Sequence, residues 1–119
     1  PDEHDEIRAA LIEMADYYQA DLIFTMGGVG LGLRDVTPEA TMMVTERVVP
    51  GMAEAMRASA MSWSRRAMLF RGVCAIRGQT LIVNLPGEPK ALHKLFMGII
   101  DQLPFALLQV KGLRRELEE

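Results

Sequence analysis

Apolar positions recur at spacings of three and four near the front of the chain. Ile7, Leu11, Met14, Ala15 and Tyr18 form one stripe, which predicts an amphipathic helix over 3–18. Acidic residues crowd its first turn, where they suit the helix dipole. Asp21-Leu22-Ile23-Phe24-Thr25 then reads as a short buried strand. Met26 to Asp35 holds four glycines, Gly27, Gly28, Gly30 and Gly32, and predicts a loop that needs positive φ or close backbone approach. Thr37 is a natural N-cap and Pro38 fits a first helical position, so a helix is expected from there to about Val48. Pro50-Gly51 breaks it, and a second helix is expected over 51–60, with Met52, Ala55, Met56 and Ala60 on one face. A polar connection over 61–66 carries Trp63. Residues 73–77 and 80–85 read as two strands joined by a Gly78-Gln79 turn. The second is nearly continuous in apolar residues, as a strand covered on both faces should be. A helix over Lys90–Leu103, a short helix opened by Pro104 and a solvated tail over Arg114–Glu119 complete the pattern.

Strands alternating with helices predict an α/β fold: three layers, with a mainly parallel sheet flanked by helices. The 119 residues fit a single domain over 1–119, and half of them are apolar. Ligands of such sheets sit beyond the carboxyl ends of the strands. Two loops leave strand ends, over 26–35 and 84–89. If their strands are neighbours, the loops meet at one site.

Charge narrows the partners. Thirteen Lys and Arg stand against sixteen Asp and Glu, a net charge of −3. A domain that neutralises nucleic-acid phosphates is normally basic, so no nucleic-acid partner is expected. A small phosphorylated ligand stays compatible. The lone Cys74 permits no intrachain disulfide, and with only His4 and His93 besides it no single-chain zinc site is expected. No run of about 18 apolar residues predicts a membrane span. The expected compartment is the cytoplasm. The nine methionines read as adaptable core filling.

The glycine loop lacks the Gly-Lys-Ser/Thr close of a P-loop, and Leu33 stands where a dinucleotide fingerprint needs its third glycine. Two readings remain: a nest of backbone N–H groups suited to phosphate, or a structural loop. Asp35 also has two readings, a carboxylate that shares a divalent cation with a bound phosphate, or an Asx-type turn. Asn84-Leu85-Pro86-Gly87-Glu88-Pro89 is either a stiff polar grip for a heterocycle or a plain strand-to-helix turn.

Three ordered segments sharpen these readings. Thr25-Met26-Gly27-Gly28-Val29-Gly30, Arg34-Asp35-Val36-Thr37-Pro38-Glu39-Ala40 and Asn84-Leu85-Pro86-Gly87-Glu88-Pro89-Lys90 together resemble the molybdenum-cofactor biosynthesis family. The similarity is to its molybdopterin adenylyltransferase (Mog/MoaB) branch, related to the gephyrin G domain. Pro50-Gly51, Arg71-Gly72-Val73 and Ile76-Arg77-Gly78 match in order, so the resemblance runs along nearly the whole chain.

The resemblance implies a molybdopterin-binding-domain fold and transfer of AMP from ATP, with Mg²⁺, to the terminal phosphate of molybdopterin. It implies Asp35 and Asp2 as catalytic and metal-positioning carboxylates. Gly27, Gly28, Gly30 and Thr37 would meet phosphate or pterin groups, and Asn84, Pro86 and Gly87 would line the pterin side. The implied partners are molybdopterin, ATP, a molybdenum-insertion protein and further copies of the chain in a homotrimer. Val48-Val49 and Leu107-Leu108 are either its interface or core. The family's first strand and helix have no counterpart ahead of Pro1, so an N-terminally truncated domain is expected. Met26, Val29 and Phe70 stand where the family usually carries hydroxyl residues. Those departures keep an alternative open, a non-catalytic relative that binds molybdopterin or acts as a scaffold.

Overall fold

The structure is a computed structural model and describes residues 3–112. Asp2 and the tail over 114–119 lie outside the described residues. The order is α1 (Glu3–Ile12), β1 (Leu22–Met26), α2 (Thr37–Met43), β2 (Arg47–Val48), α3 (Pro50–Met61), β3 (Cys74–Arg77), β4 (Thr80–Leu85), α4 (Pro89–Phe96) and α5 (Leu103–Val110). A π-helical turn, Glu13–Tyr17, continues α1, and 3₁₀ turns occupy Arg65–Leu69 and Ile100–Gln102.

The four strands form one sheet in the order β1-β4-β3-β2. β1 runs parallel to β4, with Leu22 opposite Leu81 and Met26 opposite Leu85. β4 is antiparallel to β3, and β3 to β2. The α/β layering is as the sequence predicts. The described sheet is mixed, with its parallel character confined to β1 and β4. The reason is local: Gly78, at φ +58°, turns the chain within two residues, and so short a link can join only antiparallel strands.

β4 is buried along its whole length. Leu81, Val83 and Leu85 point into one core with Met56, Ala60, Phe70, Cys74, Leu95 and Ile99. Ile82 points the other way, to Leu11, Ala15, Ile23 and Val44. The period of two along one strand thus feeds both faces of the sheet. Each fully buried side chain of this size contributes about 1.5–3 kcal/mol.

Three boundaries differ from the sequence reading. α2 stops at Met43 instead of reaching Val48. Arg47 and Val48 pair instead with Ile76 and Ala75, and sheet hydrogen bonding overrides local helix preference there. The N-cap of α2 is Val36, whose carbonyl accepts from Ala40 N–H, so Thr37 is already helical. The helix expected over 90–103 is broken after Phe96. Gly98 follows the break, and a Cβ there would lie 2.5 Å from the Ala55 carbonyl oxygen, so this turn sits directly against α3. Val49 and Leu107 pack against the main core, whereas Val48 is exposed. Among the described residues no single helix is long and apolar enough to cross a membrane.

Candidate functional site

Because β1 and β4 are parallel neighbours, the loops that follow them leave the same edge of the sheet. Gly27 N–H donates to the Leu85 carbonyl at 2.8 Å and fixes one loop to the other. A Cβ on Gly87 would stand only 3.8 Å from Gly27 Cα. The loops converge on a cavity of about 370 Å³. Gly27, Gly28, Gly30, Asp35, Pro86 and Gly87 line it on one side, and Ala60, Ala67, Leu69, Phe70 and Leu95 form an apolar wall. A concave apolar site with a few converging polar groups is the usual form of a small-molecule pocket.

The glycine loop is built for close approach. Gly27 and Gly28 sit at φ +99° and +69°, where L side chains are strained. A Cβ on Gly28 would also fall 2.3 Å from Thr37 Oγ1. The Gly28 carbonyl accepts from Thr37 N–H, tying the loop to the start of α2. Among the described residues, the N–H groups of Gly28, Val29 and Gly30 donate to no protein acceptor. Three successive free amides beside a cavity are the donors that an anion nest would use.

Asp35 closes the loop from within. Its Oδ2 accepts from Gly32 N–H at 2.8 Å, and its own N–H donates to the Gly32 carbonyl at 3.0 Å. This is a bond back across the loop, not the forward bond of an Asx turn. Asp35 Oδ1 keeps no protein partner among the described residues, so one carboxylate oxygen is spare in a half-buried group facing the cavity. Mg²⁺ is usually held by one or two carboxylates together with substrate phosphates and water. A single spare oxygen next to these free amides fits that donor pattern. Among the described residues there is no cluster of three or more acidic, His or Cys groups, so a preformed all-protein cage is not what this site offers.

Arg71 is the residue that sequence reasoning left without a role. Its Nε donates to the Gly30 carbonyl at 2.7 Å and one terminal nitrogen to the Asp35 carbonyl at 2.6 Å. The other donates to Glu39 Oε2 on α2, also at 2.6 Å. Its backbone N–H donates to the Val29 carbonyl. One guanidinium therefore spans the glycine loop from end to end. Bonding to Arg71 holds the Glu39 carboxyl below the ordinary glutamate range, and the same bond raises Arg71. The available signal was Arg71-Gly72, a bulky cation beside a glycine on which the Phe70 ring packs.

Two expected ligand contacts lie behind the cavity wall. Asn84 is fully buried. Its Oδ1 accepts from Val73 N–H at 3.0 Å, and its Nδ2 donates to the hydroxyls of Thr25 and Thr41 at 2.9 and 3.1 Å. Every polar atom of its side chain is thus used inside the fold. Thr37 is buried under Gly28. Of the three departures from hydroxyl residues, Val29 and Phe70 line the cavity, while Met26 is 70% exposed and does not. Trp63 and Arg66 line the mouth and were not singled out from the sequence as site residues.

Residues 1–105 match the family described as a probable molybdopterin binding domain. The chain belongs to this family. Within the molybdopterin-binding-domain family, the chain is 39% identical over 118 residues to the molybdopterin adenylyltransferase of Helicobacter pylori strain J99, covering 99% of this chain and 67% of that one. It is 43% identical over 101 residues to the Escherichia coli K12 protein of the same name, covering 85% of this chain and 52% of that one. The chain thus spans about two thirds of one relative and half of the other. The crystal structure of the molybdopterin biosynthesis enzyme MoaB from Thermus thermophilus superposes with a TM-score of 0.87 at 46% identity, covering 94% of this chain and 70% of that one. The molybdopterin-binding-domain fold expected from the three sequence segments is therefore the fold of this chain.

Proposed function

We propose that this chain acts as a molybdopterin adenylyltransferase in molybdenum cofactor biosynthesis. The observation that carries the reading is the free amide row of Gly28, Val29 and Gly30 beside the spare Asp35 oxygen, in one cavity with an apolar wall. The wall suits a flat heterocycle and the amides suit phosphate. The terminal phosphate oxygen of molybdopterin attacks the α-phosphorus of ATP. The bond from that phosphorus to the bridging oxygen breaks, and pyrophosphate leaves with the electron pair. The attacking group is already anionic, so the chain needs no proton-abstracting base. Its work is to position two polyanions and offset the charge between them.

Asp35 is the described residue that would hold Mg²⁺, which supplies charge neutralisation when it arrives with ATP. Asp2 is the second carboxylate of this reading and lies outside the described residues. Gly28 and Gly30, with Val29 between them, receive phosphate through their free N–H groups. Gly27, whose N–H is bonded to the Leu85 carbonyl, holds the loop in place, and Pro86 and Gly87 meet the heterocycle. Asn84 and Thr37 act by fixing the two loops from behind. A cytoplasmic setting, delivery of product to a molybdenum-insertion protein and a homotrimer belong to the same reading. Light scattering that found only monomer would remove the trimer.

Asp35→Asn should lower AMP transfer about 10²-fold, the scale of losing one aligned electrostatic contact. Melting temperature should stay close to that of the parent. Pyrophosphate release with Mg-ATP and molybdopterin measures the rate, and full activity in the variant would remove the assigned role. A second reading has its own observation: Val29 and Phe70 make the cavity wall apolar where hydroxyl residues were expected. Under that reading the chain binds molybdopterin without turning over ATP. Calorimetry paired with the pyrophosphate assay separates the two.

A further inference from the structure

Trp63 lines the mouth of the cavity and also a second, open one of about 450 Å³, whose other lining residues are Pro89, Lys90, His93 and Lys94. The two spaces thus share one wall, a tryptophan that is 45% exposed. Lys90, His93 and Lys94 are exposed on α4, and Arg66 lines the first cavity together with Trp63. None of these four basic side chains has an acidic partner among the described residues. No acidic residue lines the outer space. Glu88, at the rim of the inner one, is committed to its own helix: Lys90 N–H and Ala91 N–H donate to its carboxylate at 3.1 and 2.7 Å.

The placement is locally unfavourable. Lys90 is the second residue of an eight-residue helix, at the positive end of the helix dipole. Lys94 lies four residues on, where a like charge repels. In a chain of net charge −3, this concentration of cations runs against the whole-molecule balance. A bound polyanion would relieve both conflicts.

We infer that the outer space is a subsite for the diphosphate end of ATP and for the pyrophosphate it becomes. Lys90, Lys94 and His93 are its ligands, and Trp63 separates it from the glycine loop. This rests on the adenylyl-transfer reading and adds a direction to it. The α-phosphorus is placed over the inner cavity, and the leaving group moves outward past Trp63. When the bond to the α-phosphorus breaks, the departing oxygen gains negative charge, and the lysines meet it there. Their exposure leaves the product a path to solvent.

Trp63 is the chain's only tryptophan, so it reports on this place alone. Pyrophosphate titrated into the chain should give binding heat by calorimetry and a saturable change in Trp63 fluorescence at the same midpoint. Inorganic phosphate should bind at least tenfold more weakly. A Lys90→Gln, Lys94→Gln double variant, altered only at exposed positions, should raise the pyrophosphate midpoint about tenfold and keep the parent circular dichroism. Absence of pyrophosphate binding, heat without any Trp63 response, or an unchanged midpoint in the double variant would each overturn the subsite. Transfer activity is scored separately by AMP incorporation into molybdopterin. Its absence would strike the adenylyl-transfer reading even if pyrophosphate bound as expected, and its presence would not rescue the subsite.

Discussion

Asn84 shows how one side chain can serve a site without touching what binds there. It closes a bond to Val73 N–H and two to threonine hydroxyls, all under the floor of the two loops. Asn84→Ala should cost about 2–4 kcal/mol, since three hydrogen bonds go and their partners, Thr41 buried and Val73 and Thr25 half-buried, lose them. Urea denaturation measures this. Molybdopterin affinity of the folded fraction should change little, and a large loss of affinity at unchanged stability would instead put Asn84 in the cavity. The sequence showed that an amide stood at the base of a stiff loop. It could not show which way the amide faced, because that depends on Thr41, a residue 43 positions away on another element. The glycines were more legible. Positive φ at Gly27 and Gly28 follows from local chemistry, and a loop of that density has few other uses.

At the scale of elements, the site depends on α2 and the segment before β3 being held together by Arg71. The pair with Glu39 is partly exposed, so its own worth is modest. The bonds from the guanidinium to the Gly30 and Asp35 carbonyls set the loop's shape. Glu39 is held below its ordinary range in the folded chain. Its contribution is therefore fully present above the unfolded glutamate value of about 4.3 and is lost as pH falls through the lower folded value. Ligand affinity should fall across that acid window in the parent chain. Arg71→Ala should weaken ligand binding about tenfold at neutral pH and flatten the acid dependence, as read by calorimetry between about pH 3 and 7. An unchanged pH profile in the variant would contradict the clamp. Most element types were readable from periodicity, and β4 was placed residue for residue, but β2 was hidden inside the helix expected to reach Val48. Boundaries failed where tertiary contact decided them: α2 yielded to strand pairing at Arg47, and the chain after Phe96 bent where Gly98 passes α3.

For the molecule as a whole, Cys74 tests whether the core opens as one unit. Its thiol is buried beside Met56 Sδ at 3.8 Å, and burial pushes its pKa up to about 12. The reactive thiolate is therefore scarce at neutral pH. An alkylating reagent should leave Cys74 intact in the native chain and modify it at the denaturant midpoint of the circular-dichroism transition. Labelling well below that midpoint would reveal a looser core on the α3 face. The strand order has a consequence for how such a chain comes into being. Among the described strands, β2 has a partner only in β3 and β1 only in β4, so the first ladder needs residues 74–77 and the β1 ladder needs residues 80–85. Among the described strands, β1 therefore gains no partner until β4 has been made. The parallel pairing across about 60 residues then forms among the last long-range contacts, a slow step by the general link between contact distance and folding rate.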